Sequence, residues 1–139
     1  MDGSGTGASG YEEIAHTADL ELRVWAQNLT GLLITAACGM YHLQGVNLEP
    51  GGRFQRTVDV RAEDAEGLLV AYLSELLFHE EAGEAFDTFQ LTETASGVVG
   101  TLDGAAIASG YKEIKAVTYH NLAIRHLHDR LEAHVVFDI

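Results

Sequence analysis

The chain has 139 residues, 47% of them hydrophobic and only one a proline, which suits a single globular domain with a real core and excludes a disordered chain. Its 21 acids against 8 lysines and arginines give a net charge of −13, and the interval between Arg61 and Lys112 holds ten acids and no base. Such a surface repels phosphate backbones, so independent nucleic-acid binding is not expected, whereas a cation or a basic protein partner would be attracted.

Residues 1–10, rich in glycine and serine, read as a flexible tail, which leaves 11–139 as the folded domain. Tyr11 to Ala15 suits a first strand. Leu20, Leu22, Val24 and Ala26 alternate with Glu21, Arg23 and Trp25, the pattern of a half-buried strand. Asn28 reads as a helix N-cap. Leu29, Leu32, Leu33, Ala36, Ala37, Met40 and Tyr41 then recur at helical spacing and make one apolar face. Gly31 and Gly39 each weaken this helix by about 1 kcal/mol relative to alanine. Cys38, the only cysteine, excludes a disulfide within the chain and reads as a small buried hydrophobe.

Pro50-Gly51-Gly52 marks a loop. Phe54 to Ala62 reads as a strand with Val58, Val60 and Ala62 facing one way. Asp64 caps a second helix, whose apolar set is Leu68, Leu69, Tyr72, Leu73, Leu76 and Leu77, and Gly83 ends that region. His42 and His79 close the two helices, where a protonated imidazole suits the negative end of the dipole. Short strands and turns follow from Phe86, with a hairpin turn predicted at Asp103-Gly104. Val117 to Ile124 and Ala133 to Asp138 are the last strands, joined by the polar loop His126 to Arg130. Two helices among mostly short, antiparallel-compatible strands predict an α+β fold: a single domain, with the helices packed on mostly antiparallel β-sheets. No apolar stretch reaches membrane length and no charged-then-apolar leader opens the chain, so a cytoplasmic protein with no membrane partner is expected.

Three groups of residues can carry chemistry. In His16-Thr17-Ala18-Asp19, Thr17 and Asp19 can cap a turn. Alternatively, Asp19 presents a hard-cation ligand that His16 orients. In the segment Tyr111 to His120, alternation sends Glu113, Lys115 and Val117 to one side and Ile114, Ala116 and Thr118 to the other. Lys115 is one of only two lysines. It can neutralise clustered carboxylates or reach a partner's phosphate, or simply form a surface ion pair. At Asp138-Ile139 a side-chain carboxylate and the terminal α-carboxylate lie one residue apart, at the end of an apolar run. With a further aspartate they would make a site for Ca²⁺ or Mg²⁺; the plainer reading is that Asp138 pairs with a lysine or solvates a sheet end. His126 and His128 lack a third soft ligand. Phosphate-loop, nucleophile-elbow and His-Glu-x-x-His motifs are absent, as is an aromatic–basic stripe for nucleic acid.

Taken in order, Tyr11-Glu12, His16-Thr17-Ala18-Asp19-Leu20, Ala62-Glu63-Asp64, Leu73-Ser74-Glu75-Leu76-Leu77, Glu113-Ile114-Lys115-Ala116-Val117-Thr118-Tyr119-His120 and Val135-Val136-Phe137-Asp138-Ile139 resemble the archease family. The resemblance spans residues 11–139, and the His-Thr-Ala-Asp, Lys-Ala-Val-Thr-Tyr-His and Phe-Asp-Ile strings are specific in combination. It implies a small cytoplasmic α+β protein that is not itself an enzyme. Such proteins assist the RtcB-type RNA ligase of tRNA splicing and RNA repair, promoting its guanylylation by GTP and its multiple turnover. It also implies a metal ion, taken in the family to be calcium, held by residues that map onto Asp19, Asp138 and Ile139, with Mg²⁺ or Mn²⁺ as other candidates. The family's functional lysine maps onto Lys115. Two positions depart from the family pattern: Ala15, where an acid is common, and Leu29-Thr30-Gly31, where acids usually open the first helix. Two other classes fit parts of the sequence: a metal-dependent hydrolase using His16 and Asp19, and a general chaperone with an exposed apolar patch. Self-association is left open.

Overall fold

Both helices begin at the residues whose side chains can cap them. Asn28 Oδ1 accepts from the Gly31 amide at 2.8 Å and opens α1 (Leu29–Gln44). Asp64 Oδ1 accepts from the Gly67 amide at 2.7 Å and opens α2 (Ala65–Glu81). Each cap satisfies a helix N–H that would otherwise lack a partner. Asp64→Ala is expected to cost about 1 kcal/mol, read as a lower midpoint in urea with an unchanged slope.

The structure is a computed structural model that describes residues 8–14 and 19–139. Most of the expected tail, and Ala15, His16, Thr17 and Ala18, lie outside the described residues. The strands are β1 (Gly10–Ile14), β2 (Leu20–Ala26), β3 (Phe54–Arg61), β4 (Glu84–Glu93), β5 (Gly97–Ala106), β6 (Ala116–Thr118), β7 (Arg125–Leu127) and β8 (Arg130–Asp138). They form two antiparallel sheets. One has the order β1-β2-β8-β6, with β7 also on β8; the other has the order β3-β5-β4. This is the α+β architecture that the patterning predicts. The helices touch each other, and each reaches both sheets: α1 packs on β1, β2, β8 and β4, α2 on β6, β3 and β4. Leu22, Val24, Leu32, Leu33, Ala36, Met40, Leu69, Leu73, Leu76, Val135 and Phe137 are fully or almost fully buried between them.

Several local expectations are corrected. Asp103-Gly104 is not a hairpin turn; both residues lie inside β5. Gly104 sits between Phe54 of β3 and Phe86 of β4, and a Cβ there would collide with the carbonyl oxygen of Ala85. The glycine answers to a neighbouring backbone, not to a turn. The hairpin between β4 and β5 turns instead at Thr94 to Ser96. The expected strand Val117 to Ile124 stops after Thr118, and Asn121 takes a left-handed φ of 54°. The polar loop from His126 contains a short hairpin, because β7 pairs with the start of β8, Leu127 facing Arg130. Cys38 is exposed, since it lies off the helical face formed by Ala36, Ala37 and Met40.

The outer face of the larger sheet is not a simple solvated surface. Trp25 lies there, yet it is 1% exposed. Gly10 opposes it in register, and a Cβ at Gly10 would run into the indole, so β1 starts inside the segment read as tail. The Arg23 guanidinium stacks 4.4 Å from the ring centroid and bonds Glu12 and Glu132, each at 3.1 Å. Arg130 bonds the same Glu132 at 2.9 Å. The arginines cover the indole while their charges are paired.

Candidate functional site

Strand β8 collects the site. On one side Leu20 of β2 pairs with Phe137. Asp19 directly precedes Leu20 and Asp138 directly follows Phe137, so the Leu20–Phe137 pair brings the two aspartates to the same end of the sheet. On the other side Ala116 of β6 pairs with Asp138, and the Lys115 amide donates to the Asp138 carbonyl at 2.8 Å. Three segments far apart in sequence therefore meet at one end of one sheet. Four of the five residues singled out from the sequence share that end: Asp19, Lys115, Asp138 and Ile139. The fifth, His16, lies outside the described residues.

The pleat decides which way Asp138 points. Leu20 and Phe137 are 8% and 0% exposed and face the helices. Asp138, the next residue of β8, therefore falls on the opposite, outer side, and Asp19 lies in a bend just before β2. Asp138 and Lys115 are exposed and Asp19 is half-buried. Among the described residues, no side-chain hydrogen bond or ion pair of Asp19, Lys115 or Asp138 is present. Two carboxylates brought to one sheet end repel each other unless a cation stands between them. Hard divalent ions prefer this donor chemistry. No cluster of three or more His, Cys, Asp or Glu side chains suited to a metal occurs among the described residues. The two aspartates supply hard oxygen donors, and a cation there would need further oxygens, which the main chain of Ile139 can offer.

The Lys115 segment is held differently from the sequence expectation. Residues 110–115 are not strand, so the alternation predicted from Glu113 to Thr118 does not apply there. Ile114 and Val117 are both buried, three residues apart. The segment is pinned at one end by the Lys115 amide on Asp138 and at the other by Gln44. The Lys112 amide donates to the Gln44 carbonyl at 2.7 Å, and Gln44 Nε2 donates to the Lys112 carbonyl at 3.0 Å. Beyond β6, Thr118 Oγ1 donates to the Val136 carbonyl at 3.0 Å and receives the His120 amide at 3.2 Å. Tyr119 between them is 63% exposed, and Ile139 is 42% exposed. Ile139 directly follows Asp138 at the charged edge, whereas Tyr119 reaches toward Gly67 at the start of α2.

Gln44 and Glu80, 2% and 6% exposed, were not apparent as site residues from sequence patterning. Their spacing carries the signal. Gln44 follows Met40 and Tyr41 by four and three residues, and Glu80 follows Leu76 and Leu77 likewise, so both continue the apolar faces of their helices. Gln44 Nε2 donates to Glu80 Oε1 at 2.8 Å. Burial is the main influence on Glu80 and pushes its carboxyl up to about 7, against the lowering effect of that hydrogen bond.

No helix among the described residues is long and apolar enough to cross a membrane. The model of the Archease protein family matches residues 11–139. A protein archease from Methanosarcina mazei is 34% identical over 140 residues, covering 93% of this chain and 95% of the relative. One from Methanopyrus kandleri is also 34% identical, covering 93% of this chain and 99% of the relative. The fold matches the crystal structure of an archease, described as a possible chaperone, from Thermotoga maritima: the TM-score is 0.69 at 22% identity, over 92% of this chain and 96% of that one. With the family model and these relatives covering nearly the whole folded region, the chain belongs to the archease family.

Proposed function

We propose that this protein is a non-catalytic activator of an RtcB-type RNA ligase in tRNA splicing and RNA repair, promoting ligase guanylylation by GTP and multiple turnover. Asp19, Asp138 and the Ile139 carboxylate hold a divalent cation in this reading, with Ca²⁺ preferred and Mg²⁺ or Mn²⁺ as substitutes. The observation that supports it best is the convergence at β8. The Leu20–Phe137 pair brings Asp19 and Asp138 to one sheet end, and the Lys115 amide donates to the Asp138 carbonyl from the other side of β8.

Each group has a task in this reading. The two aspartates supply hard oxygen donors. The bound ion supplies positive charge for phosphate oxygens. Lys115 adds a cation at the same edge, on a stem long enough to reach a partner's nucleotide pocket. His16 orients Asp19. Ile139 contributes apolar contact, and the acidic remainder of the surface steers the protein toward a basic, RNA-handling partner. No direct nucleic-acid binding by this chain is needed, and a cytoplasmic location goes with the reading.

The test mixes the protein with an RtcB-type ligase and labelled GTP and follows covalent nucleotide transfer. Faster transfer, and more than one ligation per ligase, are expected. A ligase that guanylylates no faster with the protein than without it overturns the assignment.

A further inference from the structure

Two buried acceptors are left over where the helices meet the Lys115 segment. Gln44 Nε2 spends its hydrogens on Glu80 Oε1 and the Lys112 carbonyl. Gln44 Oε1 and Glu80 Oε2 are buried and have no hydrogen-bond partner. A carboxylate and an amide carbonyl each carry only lone pairs, so neither can serve the other. A buried acceptor left so costs stability and calls for an explanation. One proton on Glu80 Oε2 supplies it. The acid then donates to Gln44 Oε1 while Gln44 Nε2 donates to Glu80 Oε1, closing a cyclic acid–amide pair. The second N–H of the same amide still holds Lys112.

We infer that Glu80 is held as the neutral acid, and that Glu80 and Gln44 act together as positioning residues that clamp the segment presenting Lys115. The clamp joins the end of α1, the end of α2 and residues 112–115, and the far end of that segment is bonded to Asp138. The surroundings favour the neutral form. Glu80 borders a cavity of about 230 Å³ that Glu81 of α2 and Tyr111, Glu113 and Lys115 of the segment also line. Tyr41 of α1 is the other titratable group that interacts with Glu80, and burial together with the Glu80 charge raises its phenol. Lys115 is the one base among these groups, set against two further carboxylates. Burial and the charge of Glu113 both raise Glu80, to about 7.

The sign follows. Folding takes up a proton at Glu80, so the stabilisation is full below the ordinary carboxylate range and is lost as pH rises through about 7. Above it the proton goes to solvent, the ring opens, and a charge is buried beside Glu81 and Glu113. The Lys115 segment loosens.

Hydrogen exchange at the Lys112 and Lys115 amides, normalised to intrinsic rates, reads the clamp. Carbon-13 NMR of the Glu80 carboxyl reads the proton. In the wild-type protein, protection should fall about tenfold from mildly acidic to mildly alkaline pH, the worth of one hydrogen bond to a buried group. Glu80→Gln replaces the acidic O–H with an amide N–H that cannot be lost at these pH values, so its protection should hold throughout the range. Glu80→Leu removes the ring, and protection should be low at both ends. A Glu80 carboxyl that titrates in the ordinary range overturns the inference, as does a Glu80→Gln protein with the same pH-dependent loss. The consequence for Lys115 rests on the ligase reading above. With one ligase preparation, the ratio of Glu80→Gln to wild-type stimulation should rise with pH. If exchange behaves as expected while that ratio stays flat, the clamp stands and the role given to Lys115 fails.

Discussion

Asp138→Ala should abolish cation binding and ligase stimulation while leaving the fold intact. The side chain is exposed and makes no bond to another described residue, so the substitution should move stability in the metal-free protein by no more than about 0.5 kcal/mol. The direction is informative. Removing one of two carboxylates at the same sheet end relieves repulsion with Asp19, so the metal-free variant should be neutral or slightly more stable than wild type. With calcium present the order should invert. A ligand at a hundred times its dissociation constant stabilises the native state by about 2.7 kcal/mol, and only the wild type should gain it. Loss of a direct ligand should weaken calcium binding by about 100-fold or more, since even groups behind the ligands cost about 10–100-fold. Asp19→Ala should behave the same way, and the double variant no worse than either single one, because both remove one shared ion. Thermal unfolding with and without calcium, alongside the guanylylation assay, makes the comparison. Full stimulation by Asp138→Ala would rule out the metal role even if the ligase assignment holds.

What the sequence discloses here depends on how far apart the partners are. The helix caps are local: Asn28 reaches Gly31, and Asp64 reaches Gly67. Each can be read within four residues, and both readings agree with the structure. The turn expected at Asp103-Gly104 fails because the requirement for glycine comes from the Ala85 carbonyl on a neighbouring strand, which no local pattern displays. The strand expected through Ile124 fails in a similar way. Its apolar residues continue, but the pairing with β8 ends at Val136 and Asn121 turns the chain away. The site divides along the same line. Asp138 is visible as a carboxylate at the end of an apolar run. That Asp19 comes to the same sheet end is not visible from spacing, since only the β2–β8 pairing brings residues so distant together. Gln44 and Glu80 form an intermediate case. Each is visibly a polar residue on an apolar helical face, but only the packing of the helix ends shows that the two meet.

Phe137→Ala should be the most destabilising single change near the site, at about 3–5 kcal/mol in denaturant unfolding. Phe137 is fully buried and stands between Leu20 of β2 and Val117 of β6, themselves 8% exposed. Those neighbours directly precede or follow the site: Asp19 comes before Leu20, Lys115-Ala116 before Val117, and Asp138 after Phe137. One side chain on the core face thus fixes the lateral spacing of all three segments on the outer face. The larger substitution tests stability, and a smaller one tests positioning. Phe137→Leu keeps most of the apolar volume but leaves Leu20 and Val117 less firmly supported, so calcium affinity should fall along with stability. Val135→Ala provides the control. It is equally buried and pairs with Leu22, but it lies before the reach of β6. It should lower stability while leaving affinity unchanged under conditions where both proteins are folded. Equal loss of affinity in the two variants would mean that general destabilisation is responsible. Loss in Phe137→Leu alone would mean that the core face of β8 sets the geometry of the charged edge, because the pleat places Asp138 one residue beyond the phenylalanine and on the other side of the sheet.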